Sequence, residues 1–209
     1  MYTEMRVDAF LDALASKEPV PGGGCSAALG AALGAALTSM VCNLTIGKKG
    51  YEDVQDAMVD LLEKSESLRR ELVELLEADT QVYGKLMAVY RQPHKTLEQK
   101  RERKARLQAA YKEAAEVPLA IAECCARIVD LTLPAAEMGN RWLVSDAGVG
   151  VLLAEACLQG ALLNVSINLS SINDRAYVEQ TREHMEALIV RSAHTKERVM
   201  AIVREKIGA

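Results

Sequence analysis

The sequence predicts an all-α fold, a single-domain helical bundle built around two buried Ala/Gly-rich helices, and three observations carry that prediction. Hydrophobic residues make up 50% of the chain but aromatic ones only 4%. Ala and Leu therefore do the apolar filling, and these lead the helix scale, whereas strands favour β-branched and aromatic residues. From Met58, positions advance by threes and fours through Leu61, Ser65, Leu68, Leu72, Leu75, Asp79, Val82, Leu86 and Val89, the spacing of a helix with one packed face. Two long stretches, residues 24–46 and the segment that begins near 147, are filled with small residues and lack positive charge. A chain of 209 residues suffices for one sizeable core, and no break in composition divides it, so residues 1–209 are expected to form one domain.

The elements follow in order. MYTEMRVDAFLDAL mixes acidic and apolar residues at helical spacing and lacks the basic start of a secretion signal. Residues 24–46 are long enough to span a bilayer. Their Ala, Gly, Ser, Thr and Cys would transfer poorly into lipid, whereas Gly30 and Gly34 form a small-xxx-small pair suited to close helix crossing, so a buried helix of a soluble bundle is expected. The turn GKKGYED leads into the amphipathic helix, residues 53–91, which ends before Pro93. A basic segment with Lys95, Lys100, Arg101, Arg103, Lys104 and Arg106 reads as a solvated helix face. Pro118 is expected to break or start a helix that runs through Ile128, and Pro134 to close it. The next buried helix has Ser145 or Asp146 as N-cap candidate. Along it Gly150, Ala154, Cys157, Ala161, Asn164 and Asn168 recur at four, three, four, three and four, a narrow groove of small residues ending in two stacked amides. From Asp174 onward, a charged helix with Tyr177, Leu188, Val199 and Ile202 reads as an outer amphipathic element.

Asp79 falls in register on an otherwise apolar stripe and so points inward. An apolar site costs a carboxylate several kcal/mol unless it is paired, hydrogen-bonded or protonated. It is either an internal cap, a partner of Arg or Lys, or a proton-handling group facing a cavity. Net charge of −4 gives no reason to expect nucleic-acid binding. The five cysteines, Cys25, Cys42, Cys124, Cys125 and Cys157, form no CxxC pair and have no histidine at ligand spacing. They read as small core residues of a reduced, cytoplasmic protein without a metal site. His94, His184 and His194 read as solvated. The loop EPVPGGGCSAA leaves the backbone N–H groups at a helix start unobstructed, which favours an anion there. It is neither a Walker A loop nor a dinucleotide fingerprint.

Four blocks occur in one order: PGGGCSAA at 21–28, SMVCNLTIGKKGYE at 39–52, EADTQVYGKLMAVYRQP at 77–93, and SDAGVGVLLAEACLQGALLNVSINLSSIND at 145–174. Together they resemble the cyclodeaminase/cyclohydrolase family, which contains the C-terminal domain of formiminotransferase-cyclodeaminase and the free-standing methenyltetrahydrofolate cyclohydrolases. The resemblance spans roughly residues 10–174, and several ordered blocks are far more specific than one motif. It implies an all-helical homo-oligomer, a dimer at least, acting on the one-carbon bridge of a tetrahydrofolate with no cofactor, metal, nucleic acid or membrane. The site positions it implies are Pro21, Gly22, Gly23, Gly24 and Ser26 in the glycine loop, with Asn43, Lys48, Lys49, Asp79, Ser145, Asp146 and Asn164; Asn168, stacked beside Asn164, joins them as a ligand wall. Cys25 departs from the small residue, such as Ser, expected beside Ser26, a sterically mild change.

Asp79 is the expected catalytic base, with Asp146 the next candidate, although a helix N-cap would explain Asp146 fully. Lys48 and Lys49 are expected to hold carboxylates of a folate tail, single or polyglutamylated, or to act as a proton donor, against the plain alternative of two solvated lysines in a polar turn. Three functions follow: methenyltetrahydrofolate cyclohydrolase first, formimidoyltetrahydrofolate cyclodeaminase second, and a non-catalytic helical oligomerisation module third. The lack of a fused formiminotransferase domain in the given sequence favours the first over the second.

Overall fold

The computed structural model describes residues 1–208, and every regular element among them is helical. After a 3-10 turn at Tyr2–Glu4 come α1 (Val7–Leu14), α2 (Gly23–Asn43), α3 (Gln55–Tyr90), α4 (Leu97–Met138), α5 (Val144–Leu169) and α6 (Arg175–Ile207). The two small-residue helices, α2 and α5, lie antiparallel at the centre. A Cβ on Gly34 would sit 3.0 Å from the Gly150 carbonyl oxygen, and one on Gly30 only 2.5 Å from Cys157 Sγ. The expected groove along α5 is thus the seat of α2, closed to larger side chains at these crossings. Neither helix is buried all round: Leu29, Leu33 and Met40 on α2, Leu44 at its C-cap, and Val149, Leu152, Leu163 and Ile167 on α5 remain exposed. Both are long and apolar enough to cross a membrane by length and composition, yet α2 buries most of its apolar window inside the bundle.

α3 runs antiparallel to α2 and buries Met58, Leu61, Leu68, Leu72 and Leu76. Leu76 takes the core place that strict counting gave to Leu75, which is only half-buried. Ser65 keeps the stripe in phase as a buried polar residue: its hydroxyl donates to the Ala35 carbonyl at 2.8 Å and accepts from Ser39 Oγ at 3.1 Å, so no polar atom is left unsatisfied. The GKKG turn uses left-handed glycines, Gly47 at φ 72° and Gly50 at φ 88°, the region that favours glycine. Asp174 caps α6 by accepting from the Tyr177 N–H at 3.2 Å.

Two expectations are corrected. Pro118 and Pro134 neither start nor close a helix, because α4 runs unbroken through both from Leu97 to Met138. An interior proline costs about 3 kcal/mol. α4 packs against α2, α3, α5 and α6 along its length, and burial of Ile121, Ile128 and Val129 offsets that cost. The basic segment from Lys100 to Arg106 is the exposed opening of this same helix. The N-cap of α5 is Leu143, without a side-chain cap, so Ser145 and Asp146 lie inside the first turn. There Asp146 complements the helix dipole without capping the end.

Candidate functional site

The N-terminus of α2 opens onto a cavity of about 320 Å³. Its wall is made by Gly22, Gly23 and Gly24 of the α2 start, Asp79, Val82, Tyr83 and Leu86 of α3, Ala114 and Pro118 of α4, and Asn164, Ile167 and Asn168 of α5, with Pro19 and Val20 at the rim. Gly22 is the N-cap of α2 and no side chain caps that end. The first-turn N–H groups and the positive end of the helix dipole are therefore turned toward the cavity and toward Asp79. Pro21 is buried beside this start, and Ser26 closes the first turn by donating its hydroxyl to the Gly22 carbonyl at 2.9 Å.

Asp79 comes so close to α2 that a Cβ on Gly24 would lie 2.6 Å from its Cγ. Cys25 Sγ stands 3.3 Å from Asp79 Oδ2, and also 3.4 Å from Thr80 Oγ1 and 3.5 Å from the Leu76 carbonyl. Burial raises the Asp79 carboxyl above the ordinary aspartate range, while the Cys25 thiol and backbone N–H pull it back down. Among the described residues no Lys, Arg or His forms an ion pair with it. The carboxylate is thus oriented and left free of a counter-charge, which suits both electrostatic stabilisation of a cation and proton abstraction. The Cys25 thiol is itself pushed up by burial, so it serves as a neutral donor.

The two stacked amides complete the wall. Asn164 Nδ2 donates to the Gly160 carbonyl at 2.9 Å. Asn168 Nδ2 donates to the Asn164 carbonyl at 2.9 Å and to the Ala114 carbonyl at 3.0 Å.

The remaining expected residues lie elsewhere. Asn43 ends α2, Lys48 and Lys49 are exposed in the following turn, and Ser145 and Asp146 are in the first turn of α5. These five share one end of the molecule, tied together where the Asn140 N–H donates to Thr45 Oγ1 at 2.8 Å. They are separated from Asp79 by the length of α2, about 30 Å for its 21 residues. Within one chain Asp146 therefore does not join Asp79, nor do Lys48 and Lys49 reach this cavity. Conversely, Tyr83, Val82, Leu86 and Pro118 line it without having been singled out. Val82 and Leu86 carried only a core signal, and Pro118 read as a break.

No three His, Cys, Asp or Glu side chains among the described residues gather as a metal centre would require. His94 and His194 are exposed, and His184 forms an exposed pair with Glu123 at 2.8 Å. All five cysteines are free.

Comparison with known proteins gives a consistent result. A family model described as formiminotransferase-cyclodeaminase matches residues 6–187. A methenyltetrahydrofolate cyclohydrolase from Methylorubrum extorquens is 44% identical over 202 residues, covering 97% of each chain. A formimidoyltransferase-cyclodeaminase from Rattus norvegicus is 32% identical over 87% of this chain, but the match takes in only 34% of that protein. A crystal structure of formiminotetrahydrofolate cyclodeaminase from Thermotoga maritima superposes with a TM-score of 0.82 at 30% identity, covering 100% of this chain and 98% of the other.

Proposed function

Because this chain belongs to the formiminotransferase-cyclodeaminase family, we propose that it is a methenyltetrahydrofolate cyclohydrolase, hydrolysing 5,10-methenyltetrahydrofolate to 10-formyltetrahydrofolate in one-carbon metabolism. The full-length likeness to a protein of that name supports the choice. The observation that carries the mechanism is the unpaired Asp79 carboxylate in the wall of a cavity at the α2 N-terminus.

The bridging carbon of the substrate is an amidinium-like cation. Asp79, charged and without a counter-ion, stabilises that cation in a site where partial burial strengthens the attraction. As water adds to the bridge carbon, Asp79 Oδ takes its proton. The tetrahedral adduct then collapses: the bond from the bridge carbon to N5 breaks, N5 leaves with a proton, and the carbon remains on N10 as a formyl group. One proton is released for each water consumed. Asp79 is the catalytic residue in this scheme. Gly22, Gly23 and Gly24 supply close backbone approach, and Asn164 and Asn168 contact the substrate ring. The reaction calls on no cofactor.

A second copy of the chain fits the apolar face that α2 and α5 leave open. Leu29, Leu33, Met40 and Leu44 and, from the antiparallel neighbour, Val149, Leu152, Leu163 and Ile167 are all exposed. A homodimer packed face to face there, with its two-fold axis across the pair, brings the partner's far end toward the cavity mouth. That arrangement gives Asn43, Lys48, Lys49, Ser145 and Asp146 a route to the folate tail that one chain denies them. A soluble cytoplasmic enzyme with free thiols accords with this reading.

The cyclodeaminase reaction is the second reading, favoured by the superposition on a cyclodeaminase over the whole chain. In it N10 adds to the formimino carbon to give the amino counterpart of the hydroxyl adduct, and the C–NH2 bond then breaks, ammonia leaving with a proton to give the methenyl bridge. A purely scaffolding module is disfavoured because Leu at position 79 would serve a scaffold better than a raised carboxylate does. Purified protein assayed with methenyl- and formimino-tetrahydrofolate decides the matter. Loss of the methenyl chromophore without ammonia release from the formimino compound is expected; the reverse pattern makes the protein a cyclodeaminase, and neither makes it a scaffold.

A further inference from the structure

We propose that Pro118 is a positioning residue, which fixes the Asn168 amide so that an oxygen acceptor, and not an N–H donor, is what Asn168 offers the substrate. A proline inside a helix has no N–H to give the carbonyl four residues earlier. In α4 that carbonyl belongs to Ala114, and Asn168 of α5 satisfies it from outside, at 3.0 Å. The second Asn168 amide proton is held by the Asn164 carbonyl, one turn back in α5, at 2.9 Å. Both N–H bonds of the amide are therefore spent on backbone oxygens. Turning the amide over would set Asn168 Oδ1 against two carbonyl oxygens, a repulsive arrangement, so the orientation is locked.

What remains is Asn168 Oδ1, which takes no donor from the described residues yet is not a buried unsatisfied atom. Asn168, Ala114 and Pro118 all line the cavity. Asn164, also in the wall, is held by a single bond, its Nδ2 donating to the Gly160 carbonyl at 2.9 Å, so it offers the cavity one N–H as well as its oxygen. With Asp79 the locked Asn168 gives the wall two side chains that present acceptor oxygens alone. The ligand chemistry that such a wall selects is rich in N–H donors, and a tetrahydropterin ring carries them at its 2-amino group, N3 and N8. This identification of the ligand rests on the cyclohydrolase reading; the locked amide does not.

Pro118→Ala restores an N–H aimed at the Ala114 carbonyl and releases Asn168. The variant is expected to fold, since alanine is the better helix former. Its KM for methenyltetrahydrofolate should rise about five- to tenfold with kcat little changed, the loss of one neutral hydrogen bond made alike in ground and transition states. Asn168→Ala should show the same rise, and the double variant no more than either alone. A merely structural proline would lower thermal stability and leave KM in place, which overturns the proposal, as does full additivity in the double variant. Should Pro118→Ala fail to fold, Pro118→Ser, which restores the same backbone N–H, takes its place in both measurements. Hydrogen exchange of the Asn168 side-chain amide, read by NMR with 15N-asparagine, is independent of turnover. Slow exchange in the wild type that becomes fast in Pro118→Ala supports the lock even if neither folate is a substrate, and equal exchange in both refutes it.

Discussion

Gly24 and Asp79 are in contact across the α2–α3 junction so closely that no side chain fits between them: a Cβ at position 24 would lie 2.6 Å from Asp79 Cγ. Gly24→Ala must push the carboxylate away from the α2 terminus while leaving a residue that suits a helix. The expected result is a folded protein with activity reduced about 10²-fold, the penalty of a displacement near one ångström at a reacting group. Steady-state kinetics beside a thermal melt would check it, and near-wild-type kcat would show that Asp79 works from another position.

Asp79→Asn keeps size and hydrogen-bonding capacity while removing base and charge. Loss of roughly 10²- to 10⁴-fold in kcat is expected from the base alone. Asp79→Leu should be equally inactive but more resistant to heat, since it removes a partly buried charge. An active Asn variant would refute the catalytic assignment.

The pH dependence has a definite sign. Asp79 must be ionised to accept a proton, so kcat should fall with acid through a limb lying above the ordinary aspartate range, because burial raises its pKa. For stability, the folded state holds this proton more tightly than the unfolded one. The contribution is fully present below the unfolded pKa and is lost as pH rises through the raised folded value. Wild type and Asp79→Asn should therefore converge in stability in acid and separate toward neutrality, with Asn the more stable. Denaturant titrations at several pH values would measure this, and parallel curves would contradict it.

Leu33→Asp, midway along α2, or Leu163→Asp, toward the cavity end of α5, places a charge on the apolar face, where the native residues are 53% and 73% exposed. Either variant should sediment as a monomer and lose activity if that face pairs two copies. Trp142, the single tryptophan and 78% exposed at the far end, provides a reporter. Its emission should respond to folate in the wild type but not in the monomeric variants. A monomeric wild type with full activity would remove the paired arrangement.

Lys48→Ala with Lys49→Ala tests the same arrangement from the ligand side. A tail contact binds ground and transition states alike, so KM should rise more than kcat falls. Collapse of kcat at constant KM would instead put a lysine in the chemistry.

Much of this architecture was legible because hydrophobic period and side-chain size act locally. The α3 stripe, the small-residue groove of α5 and the inward Asp79 follow from spacing along one helix. Pro118 and Pro134 were misleading because a proline's local penalty says nothing of the tertiary burial around α4 that outweighs it. The site was half legible for a related reason. Gly24, Asp79 and Asn164 meet at one end of the bundle, whereas Lys48, Ser145 and Asp146 meet at the other, and block order along the chain does not encode which end of an antiparallel pair a residue occupies. Nor does any single-helix pattern reveal that a proline on α4 leaves a carbonyl for an asparagine on α5.

The seam between α2 and α5 works as a calliper. Where Gly34 meets the backbone of Gly150, the helix separation is set by main-chain atoms, which have no rotamers through which to yield. One jaw of that calliper ends in the glycines beside Asp79 and the other in Asn164, so the width of the cavity between them is gauged about three helical turns away along α2. A single methyl group added at Gly34 would press on the Gly150 carbonyl and reset the opening of the cavity without touching any residue that lines it.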